Sequence, residues 1–243
     1  MPQELGYFED SARPLTSFVY VIPVLVAYEA GVCCLGPTAM RNGADVWLRH
    51  LLDQTGFGQY FLLPVLTCGL LLAWHHVQRE RWQVSSDTLL KMATETTAFA
   101  LALVGFGFLY MRIMHQLQPA AAFAPASPVT GGGLSQSVGY LGAGVYEEVL
   151  FRLLVIPTVA RGLQTVGESK AISLVGGATI SSLLFAAAHY QIFTGVGEPF
   201  DVTSFLFRFF AGIVFASIFI FRGFGIAAGS HTLYDLIVGA ISA

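Results

Sequence analysis

Three strings hold the residues whose chemistry is hardest to reconcile with apolar surroundings. They are GVYEEVLFRLL with Glu147, Glu148 and Arg152, LLFAAAHYQIF with Phe185 and His189, and GSHTLYDLIVG with His231 and Asp235. A charge at bilayer depth costs at least about 2.5–3.5 kcal/mol on insertion scales, so each ionisable group needs a partner or a task. Glu148 and Arg152 stand four apart, the spacing of an ion pair on one helix face. Glu147 points about 100° away around an α-helix and does not share that pairing, which leaves a carboxylate for general-base work in a low-dielectric site. The plainer reading of this trio is an ion pair that glues helices together. His231 and Asp235 are again four apart, and as a pair they could bind a metal, orient a water or stabilise an oxyanion. A hydrogen bond satisfied within one helix is the plainer alternative. His189 alone reads as a hydrogen-bonded core residue or as a ligand, one helical turn beyond Phe185. Three segments that each carry such groups point to one shared, wet, buried cavity.

The elements that must position these residues are membrane helices. Of 243 residues, 55% are hydrophobic and 11% charged. Soluble domains carry about 25% charged residues. At roughly 20 residues per crossing, the apolar fraction fits a polytopic all-α transmembrane bundle of about seven spans, with six or eight as neighbouring solutions. Apolar runs lie at about 15–36, 57–77, 89–111, 138–160, 171–193, 203–221 and 224–242. A net charge of −3 gives no basic footprint for nucleic acid, and none is expected as a partner. Cys33, Cys34 and Cys68 sit in apolar runs and fit no zinc or disulfide framework. Glu4, Glu9 and Asp10 precede the first basic residue, Arg13, so the first apolar run reads as a retained span rather than a secretory signal.

The chain divides into an N-terminal part of three spans (1–113), a linker rich in Pro, Gly and Ala (114–136), and a C-terminal half of four spans (137–243) that holds the three strings. Within the first part, residues 44–53 alternate apolar and charged groups at helical spacing and read as an interfacial helix. Lys and Arg in the connections favour a cytoplasmic N-terminus. Glu29 is a further charge in the first span, expected to cap or pair inside the bundle with Arg208. Two lysines, Lys91 and Lys170, against ten arginines hint at a high-GC bacterium, and so at its inner membrane.

EEVLFR fits EExxxR, FAAAH fits FxxxH and HTLYD fits Hxxx(N/D), in that order on successive apolar segments. The ordered trio, over about 139–239, resembles the CPBP family, the intramembrane CAAX-protease and bacteriocin-processing enzymes also called the Abi family. The resemblance implies an intramembrane endopeptidase of long helices around a water-accessible cavity. It implies that Glu147 and His189 activate the attacking water and that His231 and Asp235 stabilise the oxyanion. Glu148 and Arg152 would support the first motif and Phe185 the second. The family is often described as metalloproteases, which would make Glu147, His189, His231 and Asp235 ligands of a divalent metal such as zinc. A metal-free glutamate mechanism is the favoured version. Asp235 departs from the Asn form of the motif: an ionised Asp only accepts hydrogen bonds, so it serves an oxyanion only when protonated or by orienting His231.

The expected activity is hydrolysis of a peptide bond in a membrane-anchored or hydrophobic substrate. The alternatives are a proton-coupled transporter or channel, with Glu29 and Glu95 extending a relay, and a non-catalytic scaffold that binds a client peptide.

Overall fold

The computed structural model describes residues 6–56, 62–117, 133–191 and 197–242. Among them the architecture is helical, and the one extended pairing is an isolated bridge between Tyr190 and Glu198. The elements are α1 (Tyr7–Ala12), α2 (Pro14–Leu35), α3 (Gly43–Gln54), α4 (Leu62–Gln78), α5 (Ser86–Leu117) and α6 (Gly133–Gly142). A π-helix (Ala143–Val155) continues α6 and passes directly into α7 (Ile156–Thr165), followed by α8 (Lys170–Ala187), α9 (Val202–Arg222) and α10 (Phe224–Ser242).

Among the described residues, five helices are long and apolar enough to cross a membrane: α2, α5, α8, α9 and α10. The 17-residue α4 and the continuous run through α6, the π-helix and α7 occupy the places of the expected second and fourth spans. Large apolar side chains such as Val65, Leu101, Phe108 and Val175 are exposed on the outside of the bundle. That surface suits lipid, which offers apolar side chains the same environment as a protein core. The bulk of the expected linker, 118–132, lies outside the described residues. On either side of it, α5 extends to Leu117 and α6 begins at Gly133.

Helix boundaries follow local chemistry. Pro14 sits in the first turn of α2, where a missing N–H costs nothing. Asn42, Ser169 and Asp201 cap α3, α8 and α9, each accepting a hydrogen bond from a first-turn N–H. Gly223, at φ +89°, makes the reversal from α9 into α10; a side chain there would also meet the Ala12 backbone. A helix covers the stretch expected at 44–53: it is α3, one residue longer at each end.

The hub is α10, which packs against α2, α5, α6, α9 and the π-helix. Its sequence FGIAAGSHT explains this, because small residues let helix backbones approach closely. The complementary small residue on the π-helix is Gly144. A Cβ there would land on the Thr232 hydroxyl and lie 2.7 Å from the Thr232 Cα, next to His231. Close approach at this point is what delivers His231 to the carboxylates of the π-helix. Gly144→Ala should therefore lower stability by about 1–3 kcal/mol through overpacking and abolish activity, as read by thermal unfolding in detergent beside a cleavage assay; the equivalent change at Gly133, with open space around it, should do neither.

Candidate active site

The π-helix changes how its carboxylates are aimed. An i→i+5 ladder puts more residues in each turn than an α-helix does, so neighbouring side chains diverge less. Glu147 and Glu148, expected on diverging faces, instead converge on one imidazole. Glu148 Oε1 lies 2.8 Å from His231 Nδ1, and Glu147 Oε2 lies 3.8 Å from His231 Nε2. Asp235 Oδ2 is 3.5 Å from the same Nε2. The opened ladder is also served from outside: the Ser181 hydroxyl of α8 donates to the Phe151 carbonyl at 2.6 Å.

Arg152 pairs with Glu148 as its spacing predicts, with Nη1 at 3.1 Å from Oε1. Both side chains are fully buried. The guanidinium also donates to the Gly212 carbonyl at 3.2 Å and lies 4.5 Å from the Phe185 ring centre and 5.5 Å from that of Phe215. These aromatic faces supply the remaining electrostatic compensation for a buried cation.

His189 stands just past the end of α8. This differs from the expected span to residue 193, and it brings His189 level with His231. Its Nδ1 is 2.8 Å from the Phe185 carbonyl, an oxygen that can only accept. Nδ1 therefore carries the proton, and Nε2 presents a lone pair. The Phe185 ring joins the two histidines, with its centre 5.0 Å from that of His189 and 5.7 Å from that of His231. Phe215 stacks on His231 at 4.4 Å and 19°. His189 is near enough to interact electrostatically with both Glu147 and His231. All seven residues singled out from the three strings thus meet in one cluster. One role moves: the group hydrogen-bonded to His231 is Glu148, on another helix, while Asp235 stands farther off.

The four candidate metal ligands do not form a ligand set here. Among the described residues, no three His, Cys, Asp or Glu side chains converge as metal ligands do, and His231 Nδ1 is already engaged by Glu148.

Sequence reasoning did not find Asn42, whose Nδ2 donates to Glu147 Oε1 at 2.7 Å. Its readable signal was only that of a helix cap before GADVWLRHLL. Glu29 does not pair with Arg208. It accepts from Arg49 at 2.9 Å and from Tyr146 at 2.6 Å, because α3 packs on the π-helix and its Arg49 reaches across to α2. Arg208 instead reaches Glu198 at 2.8 Å and Ser204 at 3.0 Å. Glu95 is bound to Arg222 and Tyr7, far along the chain from Glu29 and with different partners. An apolar groove of about 650 Å³ lies between α2 and α4, lined by residues such as Leu25, Val26, Val65 and Leu72 with Glu29 at its wall. It does not include the histidines, so the carboxylate–imidazole cluster, by its chemistry, is the stronger site.

The fold and this cluster define an integral membrane protein with a buried acid–imidazole centre. Residues 134–237, somewhat under half of the chain, match the family model described as type II CAAX prenyl endopeptidase Rce1-like. The match bears out the family resemblance carried by the three motifs and covers the stretch that holds all of them. No curated protein and no solved structure matches the chain.

The shared Glu148 carboxylate generates a test. Arg152→Ala leaves a buried carboxylate with one cation fewer and should cost about 3–5 kcal/mol, seen as lost folded yield. Adding Glu148→Gln should recover yield without recovering activity, because the amide lacks the charge that holds His231.

Proposed function

We propose that the chain is an intramembrane endopeptidase that hydrolyses a peptide bond of a membrane-associated protein or peptide by water attack. The observation that carries this reading is the convergence of Glu147, Glu148 and Asp235 on the His231 imidazole, with Glu147 Oε2 buried and without a hydrogen-bond partner. A buried carboxylate oxygen left open beside imidazoles is the arrangement that a water-activating base requires.

In this mechanism a water bound at Glu147 Oε2 gives up a proton as its oxygen attacks the scissile carbonyl carbon. His189 Nε2, free because Nδ1 is held by Phe185, shares in accepting that proton. The carbonyl oxygen becomes an oxyanion that accepts a hydrogen bond from His231 Nε2–H, with Nδ1–H donated to Glu148. The proton then passes to the leaving nitrogen, the C–N bond breaks, and a carboxylic acid and an amine leave, the acid giving its remaining proton to the amine in water. Asp235 orients Nε2 from the side more open to solvent. Residues 137–243 act as the catalytic half, and the N-terminal spans brace it. The reading includes a bacterial inner membrane with the N-terminus cytoplasmic, a placement supported by the distribution of Lys and Arg.

Mass spectrometry of membrane-anchored peptides incubated with purified protein tests the activity. Glu147→Ala and His189→Ala should each lower cleavage by at least about a hundredfold while leaving the protein folded in the membrane. His231→Ala should cost about two to three orders of magnitude, the worth of an oxyanion contact, and Asp235→Asn less than about tenfold, because its amide oxygen still accepts from the imidazole. Near wild-type cleavage by Glu147→Ala would remove the assignment, and substrate flux into liposomes without any cleaved product would favour a transporter.

A further inference from the structure

Helix α3 is fixed to the π-helix by a buried network of charges. Asp45, fully buried, accepts from the Tyr28 hydroxyl at 2.8 Å, from Arg49 at 2.5 Å and from Arg41 at 2.9 Å. Arg49 also donates to Glu29 at 2.9 Å, and Glu29 accepts from Tyr146 at 2.6 Å. Tyr146 immediately precedes Glu147. The first turn of α3 is thereby held at a set distance from the π-helix, and the residue that opens this turn is Asn42.

Asn42 uses both ends of its amide. Oδ1 accepts from the Ala44 N–H at 2.8 Å and caps α3, while Nδ2 donates to Glu147 Oε1 at 2.7 Å. The amide orientation is dictated from both sides, since an N–H needs an acceptor and a carboxylate needs a donor. One Glu147 oxygen is thus taken, and the other, Oε2, is buried without a partner and faces His231.

We propose that Asn42 is a positioning residue for the hydrolytic reaction: it fixes Glu147 through Oε1, so that Oε2 is the oxygen that holds the water and takes its proton. The inference rests on the peptidase reading. It assigns α3 a part in catalysis, although α3 lies outside the three motif-bearing segments and outside the stretch that matches the family. A cap alone would require only an oxygen at position 42; positioning of Glu147 requires the nitrogen.

That distinction sets the experiment, done with the full chain in detergent on a membrane-anchored peptide that wild type cleaves and Glu147→Ala does not. Asn42→Ser keeps a capping oxygen and loses the donor. Its melting temperature and KM should stay near wild type while kcat falls roughly ten- to a hundredfold, the worth of a hydrogen bond to a charged group. Asn42→Asp keeps the cap, sets a second carboxylate against Glu147, and should lose more activity at the same melting temperature. Asn42→Ala should lose both properties. A kcat for Asn42→Ser within about threefold of wild type would overturn the inference, as would activity losses in all three variants that merely track their melting temperatures. Absence of cleavage by wild type itself would instead bring down the peptidase reading, and this role with it.

Discussion

A single carboxylate oxygen, Oε1 of Glu148, serves the Arg152 guanidinium at 3.1 Å and the His231 imidazole at 2.8 Å. Away from water, no part of this arrangement is tolerable alone. The guanidinium needs an anion, the anion needs donors, and the imidazole needs a partner that fixes which nitrogen carries its proton. The rest of the site is the geometry that keeps these three together. The aromatic rings of Phe185 and Phe215 close around the cation, and Phe215 stacks on the imidazole. The small residues of α10 and Gly144 bring two backbones near enough for a side chain from each to meet.

The same electrostatic demand organises the periphery. Near the start of α2, Arg13 donates to Asp10, to Glu80 and to the carbonyls of Gln83 and Arg81, and Asp10 accepts from Thr88. Burial opposes the charge on Asp10, but the Thr88 hydroxyl and the Arg13 guanidinium outweigh it and hold this carboxyl below its ordinary range. A second cluster joins Arg222 at the end of α9 to Glu95, Ser11 and the Phe8 carbonyl. With the Glu29–Arg49–Asp45 group these make three separate polar cores. Each ties helices that apolar packing alone would leave free to slide in lipid, where no hydrophobic force draws helix to helix.

Much of this was legible in the amino-acid sequence. The apolar runs place the long helices to within about six residues at each end, and EEVLFR, FAAAH and HTLYD name every ionisable member of the central cluster from the C-terminal half, though not Phe215, whose ring lies on His231. The Glu148–Arg152 pair could be read because its spacing is local. What could not be read depends on placement across long separations. Asn42 and Glu147 are 105 residues apart, and only the docking of α3 makes them neighbours. Arg49, rather than Arg208, meets Glu29 for the same reason. The π-helix has no signature in the sequence, because an i→i+5 ladder leaves no mark in an apolar pattern that an α-helix would not also leave.

That wider ladder has a consequence for how the chain tolerates changes in length. Over Ala143–Val155 the backbone holds surplus residues relative to an α-helix of equal rise, and the phase of all that follows is set by them. A substitution leaves this phase intact. Loss of one residue between Glu148 and Val155 would let the segment relax towards an ordinary helix and rotate α7, with Ile156 and Ala160, off the face they bury beside Gly177 of α8. Removal from within the Glu148–Arg152 interval would also part the cation from its carboxylate. The stretch therefore works as a fixed count of residues as much as a set of side chains, and sequences that keep this site should vary there in identity far more readily than in number.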